Sequence, residues 1–349
     1  MDRKLAGLAT FSALALLMLA AVAEDQPEIT AAIALSARNF KFEIVDYERP
    51  LPGTNGVTVH TSPTSINDAG ALVGNMPASD GISLDAFLYE HGRFTLLTGP
   101  LFHGSFTRAI AVNNRGEVLL VQDPQSTGPQ ARYFLYDVAQ KSFRPIGPFI
   151  QVAGAPNKIK LQQINGFNDQ GQFVGTFNIQ GRAVGGFGTL VVGAPGSLDL
   201  PADAANFTIV TCPAGLGNTN ALGMNNHAQI TGSCGPSAGV TSGFIVNNGT
   251  LTLFAYPGAS LTEGRSINNA GAVAGTYRLK SIRPGAWPGT GFVYDGAQFS
   301  PVALFKDPVS TSAARSINNK GQVAGEGGGS GFIAVPTPAN PLRLSTPVR

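Results

Sequence analysis

The sequence predicts an all-β fold, a six-bladed β-propeller whose four-stranded antiparallel blades are closed by the N-terminal strand. Two observations carry this prediction. The 349 residues include 44 Gly and 24 Pro, and these two poorest helix formers argue against a helical bundle or coiled coil. In addition, one nine-residue motif occurs six times at spacings of 43 to 57 residues. A strand-rich repeat with a period of about 50 residues is typical of propellers.

The overall composition excludes two broad classes of protein. Hydrophobic residues make up 43% of the chain and charged residues 13%, against about 25% charged residues in an average protein. The high apolar content argues against intrinsic disorder. The formal net charge of +2 is too small to predict a nucleic-acid partner.

The first 23 residues have the pattern of a secretory signal peptide. A charged start, residues 2–4, precedes an uncharged run from Leu5 to Ala23, which ends in the small-residue pattern Ala21-Val22-Ala23. The alternative is an uncleaved anchor helix, because this run is long enough to span a bilayer. We expect cleavage, secretion to the periplasm or exterior, and no stable membrane span afterwards. Residues 24–39 are interpreted as an N-terminal linker.

The chain has two cysteines, Cys212 and Cys234, and both follow the leader. In an oxidising compartment they are candidates for a disulfide. The alternative is a pair of buried thiols. We expect neither a metal site nor a cofactor, because the chain has few cysteines and its four histidines are dispersed.

The repeated motif has the residue types of a tight turn between two strands. Its copies are INDAGALVG from Ile66, VNNRGEVLL from Val112, FNDQGQFVG from Phe167, MNNHAQITG from Met224, INNAGAVAG from Ile267 and INNKGQVAG from Ile317. Asn always occupies position 2, Asn or Asp position 3, and Gly position 5 in every copy except the fourth, which has Ala228. Asn can hydrogen-bond its own backbone and Gly supplies a positive φ, so the motif predicts a hairpin. Oxygen ligands also suit calcium, but one or two per turn do not make a cage.

Two further strands are predicted in most repeats. The third strand contains a recurring phenylalanine, expected to pack between blades: Phe87, Phe134, Phe187, Phe244, Phe292 and Phe332. A fourth strand follows in five repeats, but in the sixth the chain continues into prolines, which cannot donate to a sheet. A spare strand, Phe42 to Tyr47, precedes the first motif and can complete the last blade. Residues 40–335 are therefore predicted to be one closed propeller, and residues 336–349 a Pro-rich tail.

The pattern I-N-x-x-G-x-V-x-G, followed by a G-F-L-Y strand and an F-x-x-L strand, resembles the HAF-type bacterial extracellular repeat. The resemblance covers residues 40 to 335 and rests on six copies of the motif. It implies a secreted, β-propeller-like protein and no defined activity. The chain departs from family members that end in a PEP-CTERM sorting tail, because residues 342–349 contain neither that motif nor a membrane helix.

The connections after strands two and four are predicted to be long and to lie on one face, where loops on a rigid scaffold usually bind ligands. The loop from Tyr277 to Thr290 is the most distinctive of them. It supplies the candidate ligand-binding residues Trp287, Arg283, Arg278 and Lys280, since Trp beside Arg suits stacking on a sugar or a cation–π contact. The alternative is a solvated loop in which Trp287 covers a blade edge.

Three functions fit these observations, and the first is preferred. It is a secreted, non-catalytic propeller that binds a glycan or surface protein through its long-loop face, as a monomer. The second is a carbohydrate-active hydrolase or lyase, which requires two facing carboxylates; the candidates are Asp80, Asp85, Asp123, Glu263, Asp307 and Glu326. The third is a structural surface or matrix component. No residue can be assigned a catalytic role from the sequence.

Overall fold

A computed structural model describes residues 39–49, 56–98, 106–123, 132–147, 149–152, 159–160, 163–179, 182–197, 204–236, 239–279, 289–304 and 312–337. Clustering of contacts separates Phe40–Pro336 from a second unit formed by the two termini, of which only Asn39 and Thr337 are described. The leader, most of the linker and most of the tail lie outside the described residues. Within those residues, no helix is long and apolar enough to cross a membrane.

The predicted fold is confirmed: the described residues form an all-β, six-bladed propeller. The strands of the blades are, in chain order, β4–β7 (Ser62–Ile66, Leu72–Pro77, Leu84–Glu90, Arg93–Leu97), β8–β11 (Phe106–Val112, Glu117–Asp123, Arg132–Asp137, Ser142–Pro145), β14–β17 (Ile164–Phe167, Gln172–Ile179, Arg182–Thr189, Ala204–Val210), β18–β21 (Asn218–Met224, Ile230–Gly235, Ser242–Asn247, Thr250–Phe254), β22–β25 (Ala259–Ile267, Val273–Leu279, Thr290–Tyr294, Phe299–Val302) and β26–β28 (Ser312–Ile317, Val323–Gly327, Ser330–Thr337) with β1 (Asn39–Ile44). Each motif turn joins the first two strands of its blade.

The N-terminal strand completes the last blade, as the sequence predicts, because β1 lies beside β28. The strand ends earlier than expected, however, at Ile44. Tyr47 belongs to a separate strand, β2 (Tyr47–Arg49), which pairs with β3 (Val57–Val59). Asp46 lies between β1 and β2, and its Oδ1 accepts hydrogen bonds from the backbone N–H groups of Thr61 and Gly331. This carboxylate therefore links the segment after β1 to the first and last blades.

The third blade has two strands that the sequence reading missed. A hairpin of β12 (Phe149–Val152) and β13 (Ile159–Lys160) extends its sheet to six strands, with β12 parallel to β17. The range from Gln151 to Leu161 was expected to be a long loop. The parallel pairing joins residues about fifty positions apart in the chain, so no local turn pattern marks it.

The core consists of six apolar clusters, and each one lies between two neighbouring blades. The predicted packing of the third-strand phenylalanines is confirmed, because five of the six are almost fully buried; Phe187 is half-buried. In four blades the glycine at motif position 9 makes room for this ring. A Cβ on Gly232 would lie 2.7 Å from the ring of Phe244 and 1.9 Å from the carbonyl oxygen of Asn220, so a side chain is excluded there.

Candidate functional site

The six position-2 asparagines form the inner part of a ring around the propeller axis. They are only 4 to 6% exposed: Asn67, Asn113, Asn168, Asn225, Asn268 and Asn318. In every copy the side-chain Oδ1 accepts hydrogen bonds from the backbone N–H groups two and four residues later. These bonds explain the preference for Asn within a turn.

The same asparagines also join neighbouring blades. In five of them Nδ2 donates to the backbone carbonyl of the position-2 Asn in the next blade, at 2.8 to 3.1 Å. One of these bonds runs from Asn318 to Asn67, and so connects the last blade to the first. In the second blade Nδ2 of Asn113 donates to Glu117 instead, at 2.7 Å. In five blades the position-2 asparagine therefore stabilises its own turn and also hydrogen-bonds its blade to the next one.

The position-3 residues form a second ring on the same axis. The backbone N–H of each one donates to the side-chain Oδ1 of its counterpart in the next blade, at 2.8 to 3.0 Å, all the way around. Its members are Asp68, Asn114, Asp169, Asn226, Asn269 and Asn319. We call the twelve residues at positions 2 and 3 the asparagine belt.

The belt lines a cavity of about 90 Å³ on the propeller axis. Motif residues of all six blades line this cavity, joined in three blades by the serine just before the motif, so the first strand of each blade ends next to the axis. The belt is already saturated, because the Oδ1 atoms at both positions accept hydrogen bonds from the protein. Among the described residues, no three His, Cys, Asp or Glu side chains are grouped so that they could hold a metal ion. The belt is therefore a structural closure.

A β-bulge lies two residues before the motif in the first strand of every blade. A bulge leaves one residue unpaired and redirects its side chain. The bulge residues are Thr64, Ile110, Asn165, Leu222, Arg265 and Arg315, and all of them are half-buried. Unlike the belt, these positions hold a different kind of side chain in almost every blade.

Two neutral bulge residues serve the scaffold. The Thr64 hydroxyl donates to the Ala109 carbonyl at 3.1 Å, and Asn165 Nδ2 donates to the Ala221 carbonyl at 2.7 Å. Each bond satisfies the carbonyl of a buried residue on the first strand of the next blade. A small neutral polar residue is therefore sufficient for the fold at this position.

The fifth and sixth blades carry arginines at the bulge, and each arginine has a glutamate partner in its own blade. Arg265 Nη2 lies 2.5 Å from Glu263 Oε1, and Arg315 pairs with Glu326. Two hydroxyls extend this charged cluster into neighbouring blades: Ser233 Oγ donates to Glu263 Oε2 at 3.5 Å and Ser62 Oγ to Glu326 Oε2 at 2.5 Å. The charged cluster thus comes from four blades and lies on their inner strands, by which we mean the first two strands of each blade. Its members are Ser62, Ser233, Glu263, Arg265, Arg315 and Glu326.

Burial and the ion-pair partners shift the pKa values of Arg265 and Glu326 in opposite directions. Burial lowers the pKa of the Arg265 guanidinium, and the neighbouring positive charge of Arg315 adds to that effect against the attraction of Glu263. Burial also raises the pKa of Glu326, but Arg315 and the Ser62 hydroxyl outweigh it, so the net pKa is lower than usual. Arg265 Nε is buried and has no hydrogen-bond partner within the described part of the chain. An orphaned buried donor is costly to a fold.

The structure places only part of the predicted loop site. Arg278 lies at the end of strand β23, half-buried, and its backbone carbonyl accepts a hydrogen bond from Ser260. Trp287, Arg283 and Lys280 lie outside the described residues, so their role stays a prediction.

The candidate carboxylates occupy different environments. Glu263 and Glu326 belong to the charged cluster. Asp80 caps a turn, where hydrogen bonds from Ser83 and from the backbone of Ile82 lower its pKa, while burial raises the pKa of Asp85. The side chain of Asp123 and all of Asp307 lie outside what the structure describes.

The predicted disulfide is confirmed: Cys212 and Cys234 are bonded, with their Cα atoms 5.8 Å apart. It ties the connection before the fourth blade to strand β19 of that blade. Sequence reasoning missed the belt and the charged cluster. One signal for the belt was available, because a turn alone tolerates Asp, Ser or Gly where this chain has Asn six times. The cluster had no such signal.

Comparison with known proteins does not assign a family. No protein-family model matches the chain, and no curated protein matches it. Solved structures with partial similarity include an acylaminoacyl peptidase (10% identity, TM-score 0.40), TolB from Acinetobacter baumannii (10%, 0.40) and the β-propeller domain of the trilobed protease from Pyrococcus furiosus (9%, 0.38). The alignments cover 76%, 80% and 76% of this chain, and 42%, 63% and 78% of the respective other chains. Because all three TM-scores are below 0.5, these likenesses carry no conclusion about function. The chain is a six-bladed β-propeller, and its resemblance to HAF-type repeats stays a prediction.

Proposed function

We propose that this chain is a secreted, non-catalytic binding protein, and that it takes a glycan into the axial channel from the long-loop face. The observation that carries the proposal is the charged cluster on the inner strands. The bulge positions lie beyond the belt on the side of the long loops, because each first strand begins at that face and ends at the motif. Of the predicted loop residues, Arg278 lies near the end of β23, and we propose that Trp287, Arg283 and Lys280 in the connection that follows also contribute to binding.

The variation between blades supports a binding role for the cluster. Six repeats place the same backbone around the axis, so the fold makes similar demands at each bulge. Thr64 and Asn165 occupy this position with uncharged side chains whose hydrogen bonds go to protein groups. Arg265 and Arg315 instead require two glutamates and leave a buried donor without a partner. Residues that cost stability without being needed for the fold are typical of functional sites.

The leader pattern and the disulfide together support secretion. Disulfides persist in oxidising compartments and are rare in the cytosol. Residues 1–23 are the predicted signal for export, and Cys212–Cys234 is the bond that such a compartment would maintain.

A binding role fits the carboxylates better than hydrolysis does. A glycosidase needs a carboxylic acid whose pKa is raised enough to donate a proton near neutral pH. The environment of Glu326 does the opposite, because its arginine and serine partners stabilise the charged form. Glu263 is held in an equivalent ion pair.

The test is a glycan array and a pull-down from cell-surface extract, using the full chain exported under its own leader, with turnover assayed on every hit. We expect binding to a defined set of glycans without turnover. Turnover that disappears in Glu263→Gln or Glu326→Gln would establish the hydrolase alternative instead. An array without hits, combined with self-association, would favour the structural role.

A further inference from the structure

We infer that the glycan bound by the charged cluster carries a carboxylate, as uronate sugars do, and that Arg265 and Arg315 hold this carboxylate. The inference rests on the proposed binding function and names its ligand class. The carboxylate acceptors of the cluster already accept hydrogen bonds, whereas several of its donors do not donate any to the residues that the structure describes.

The four carboxylate oxygens of the cluster all have donors. Glu263 accepts from Arg265 and Ser233, and Glu326 accepts from Arg315 and Ser62. A ligand that offered mainly donors, such as an ammonium group, would therefore have to break these contacts.

The guanidinium groups, by contrast, have donors to spare. An arginine carries five N–H groups, and the contacts that the structure describes for Arg265 and Arg315 use only Nη2 of each. Arg265 Nε and Thr276 Oγ1 are two of the three buried side-chain atoms without a hydrogen-bond partner in the described ranges. Thr276 pairs in register with Glu263, so both atoms belong to the inner strands of the fifth blade.

The geometry of these donors suits a carboxylate. The planar guanidinium offers paired N–H groups that match the two oxygens of a carboxylate. Arg265 and Arg315 occupy equivalent bulges in adjacent blades, and their side chains are 33% and 31% exposed. Neither arginine lines the small cavity inside the belt, so the inferred site lies between the belt and the long-loop face, where a ligand entering from that face would contact the exposed part of both groups. The two glutamates offset the repulsion between the arginines.

The surroundings favour a saccharide over an acidic peptide. Hydroxyl and amide side chains recur on the first two strands of several blades, as at Ser62, Asn75, Asn165 and Ser233, and two of the six bulge residues, Ile110 and Leu222, are apolar. Peptide hot spots are usually apolar or aromatic pockets, which these positions do not provide. Sugar hydroxyls both donate and accept, so they match a wall of this composition.

The experiment compares a galacturonate tetramer with the same tetramer in which every carboxyl is methyl-esterified, so that the negative charges are removed and a methyl group is added at each position. Binding is measured by titration calorimetry on the full exported chain, at low and at high salt. We expect the acid form to bind at least about 10-fold more tightly than the ester, because hydrogen bonds to charged groups are worth about 1.5–3 kcal/mol. We also expect affinity for the acid form to fall as salt rises.

The variants test the named residues. Arg265→Gln and Arg315→Gln should each weaken binding of the acid tetramer by about 10-fold to 100-fold, whereas Glu326→Gln should strengthen it by removing a competing negative charge. Arg93→Gln, on the exposed outer strand β7, is the matched control and should bind as the unaltered chain does. If one arginine variant fails to fold, the other variant and the salt series carry the test.

The outcomes separate this inference from the proposed function. Equal binding of the acid and ester forms, insensitive to both arginines, would overturn the inference and leave the binding function standing. Tighter binding of a tetraglutamate peptide than of the acid tetramer would overturn the saccharide assignment. Absence of binding to every glycan on the array and every captured protein would overturn both.

Discussion

The asparagine belt and the bulge positions lie in the same first strands and the turns that follow them, yet their residues vary in opposite ways between blades. The belt repeats one chemistry in all six blades, and its position-2 side chains are buried and hydrogen-bonded. The bulge positions, two residues upstream, hold Thr, Ile, Asn, Leu and two Arg, all half-buried. Uniform residues are those that ring closure needs everywhere. Residues that vary at a shared backbone position are not required for ring closure, so they are available to contact a ligand.

The largest effect is expected from removing one belt asparagine. In Asn168→Ala, the backbone N–H groups of Gln170 and Gln172 lose their acceptor and the bond to the next blade disappears. Each unsatisfied buried group costs about 1–3 kcal/mol, so we expect the free energy of unfolding to fall by about 4 kcal/mol. Urea denaturation measures it. Arg265→Gln is the comparison and should cost less than about 1 kcal/mol, because the cluster is not needed for closure. Similar losses in both variants would remove the distinction between belt and cluster.

The disulfide should stabilise the fourth blade independently of the belt. Closing a loop of this length is worth about 3 kcal/mol in the chain-entropy model. The double variant Cys212→Ala/Cys234→Ala should lose that amount in the same denaturation assay. Reduction of the unaltered chain provides the control, and it should reproduce most of the loss. If neither the double substitution nor reduction changed the free energy of unfolding, the belt alone would hold this blade.

One belt turn departs from the motif and should respond in the opposite direction. Ala228 replaces the position-5 glycine and has a φ of 56°, in the left-handed region that costs a non-glycine residue about 1–2 kcal/mol. Ala228→Gly should therefore raise the free energy of unfolding by about 1 kcal/mol. The reverse change at an equivalent turn, Gly171→Ala, serves as the matched variant and should destabilise. Destabilisation in both would mean that φ is not what selects glycine here.

The pH dependence of stability should report on Glu117, a charged residue at motif position 6 that accepts a hydrogen bond from the belt residue Asn113. Burial raises the pKa of Glu117, but hydrogen bonds from Asn113, Arg115 and Arg144 outweigh it, and the net pKa lies below the ordinary value of 4.5. Its stabilisation is therefore complete above that value and is lost as the pH falls through the lowered folded pKa.

Glu117→Gln should flatten this acid limb in unfolding curves measured between about pH 3 and 6. Three other blades already have Gln at the same motif position, namely Gln172, Gln229 and Gln322, so the variant keeps the hydrogen bond to Asn113. If the acid limb were the same in Glu117→Gln, the loss of stability at low pH would come from another group.

The smallest effect on stability is expected in the predicted loop. Trp287→Ala should weaken ligand binding while the melting temperature stays nearly the same, since the proposed role of this side chain is stacking on a sugar. Thermal melts and glycan titrations measure the two properties separately. A large melting drop with intact binding would show instead that Trp287 covers a blade edge.

Much of the fold could be predicted because its signals are local. Asn at position 2 satisfies backbone groups two and four residues away, and Gly at position 5 supplies a positive φ. The extra hairpin of the third blade escaped because its parallel pairing is not local. The same holds for the charged cluster, in which Glu326 meets Ser62 from the opposite end of the chain.

The sequence by itself determined the strands, the turns, the repeat number and the need for a closing strand, since each depends on neighbouring residues. Only the tertiary structure decided that six turn asparagines form one belt and that two arginines share one wall. These contacts join residues 43 to 57 positions apart, and 251 at the closure. The repeat period gives the spacing of the turns along the chain but not their contacts, because these arise only when the blades pack around a common axis.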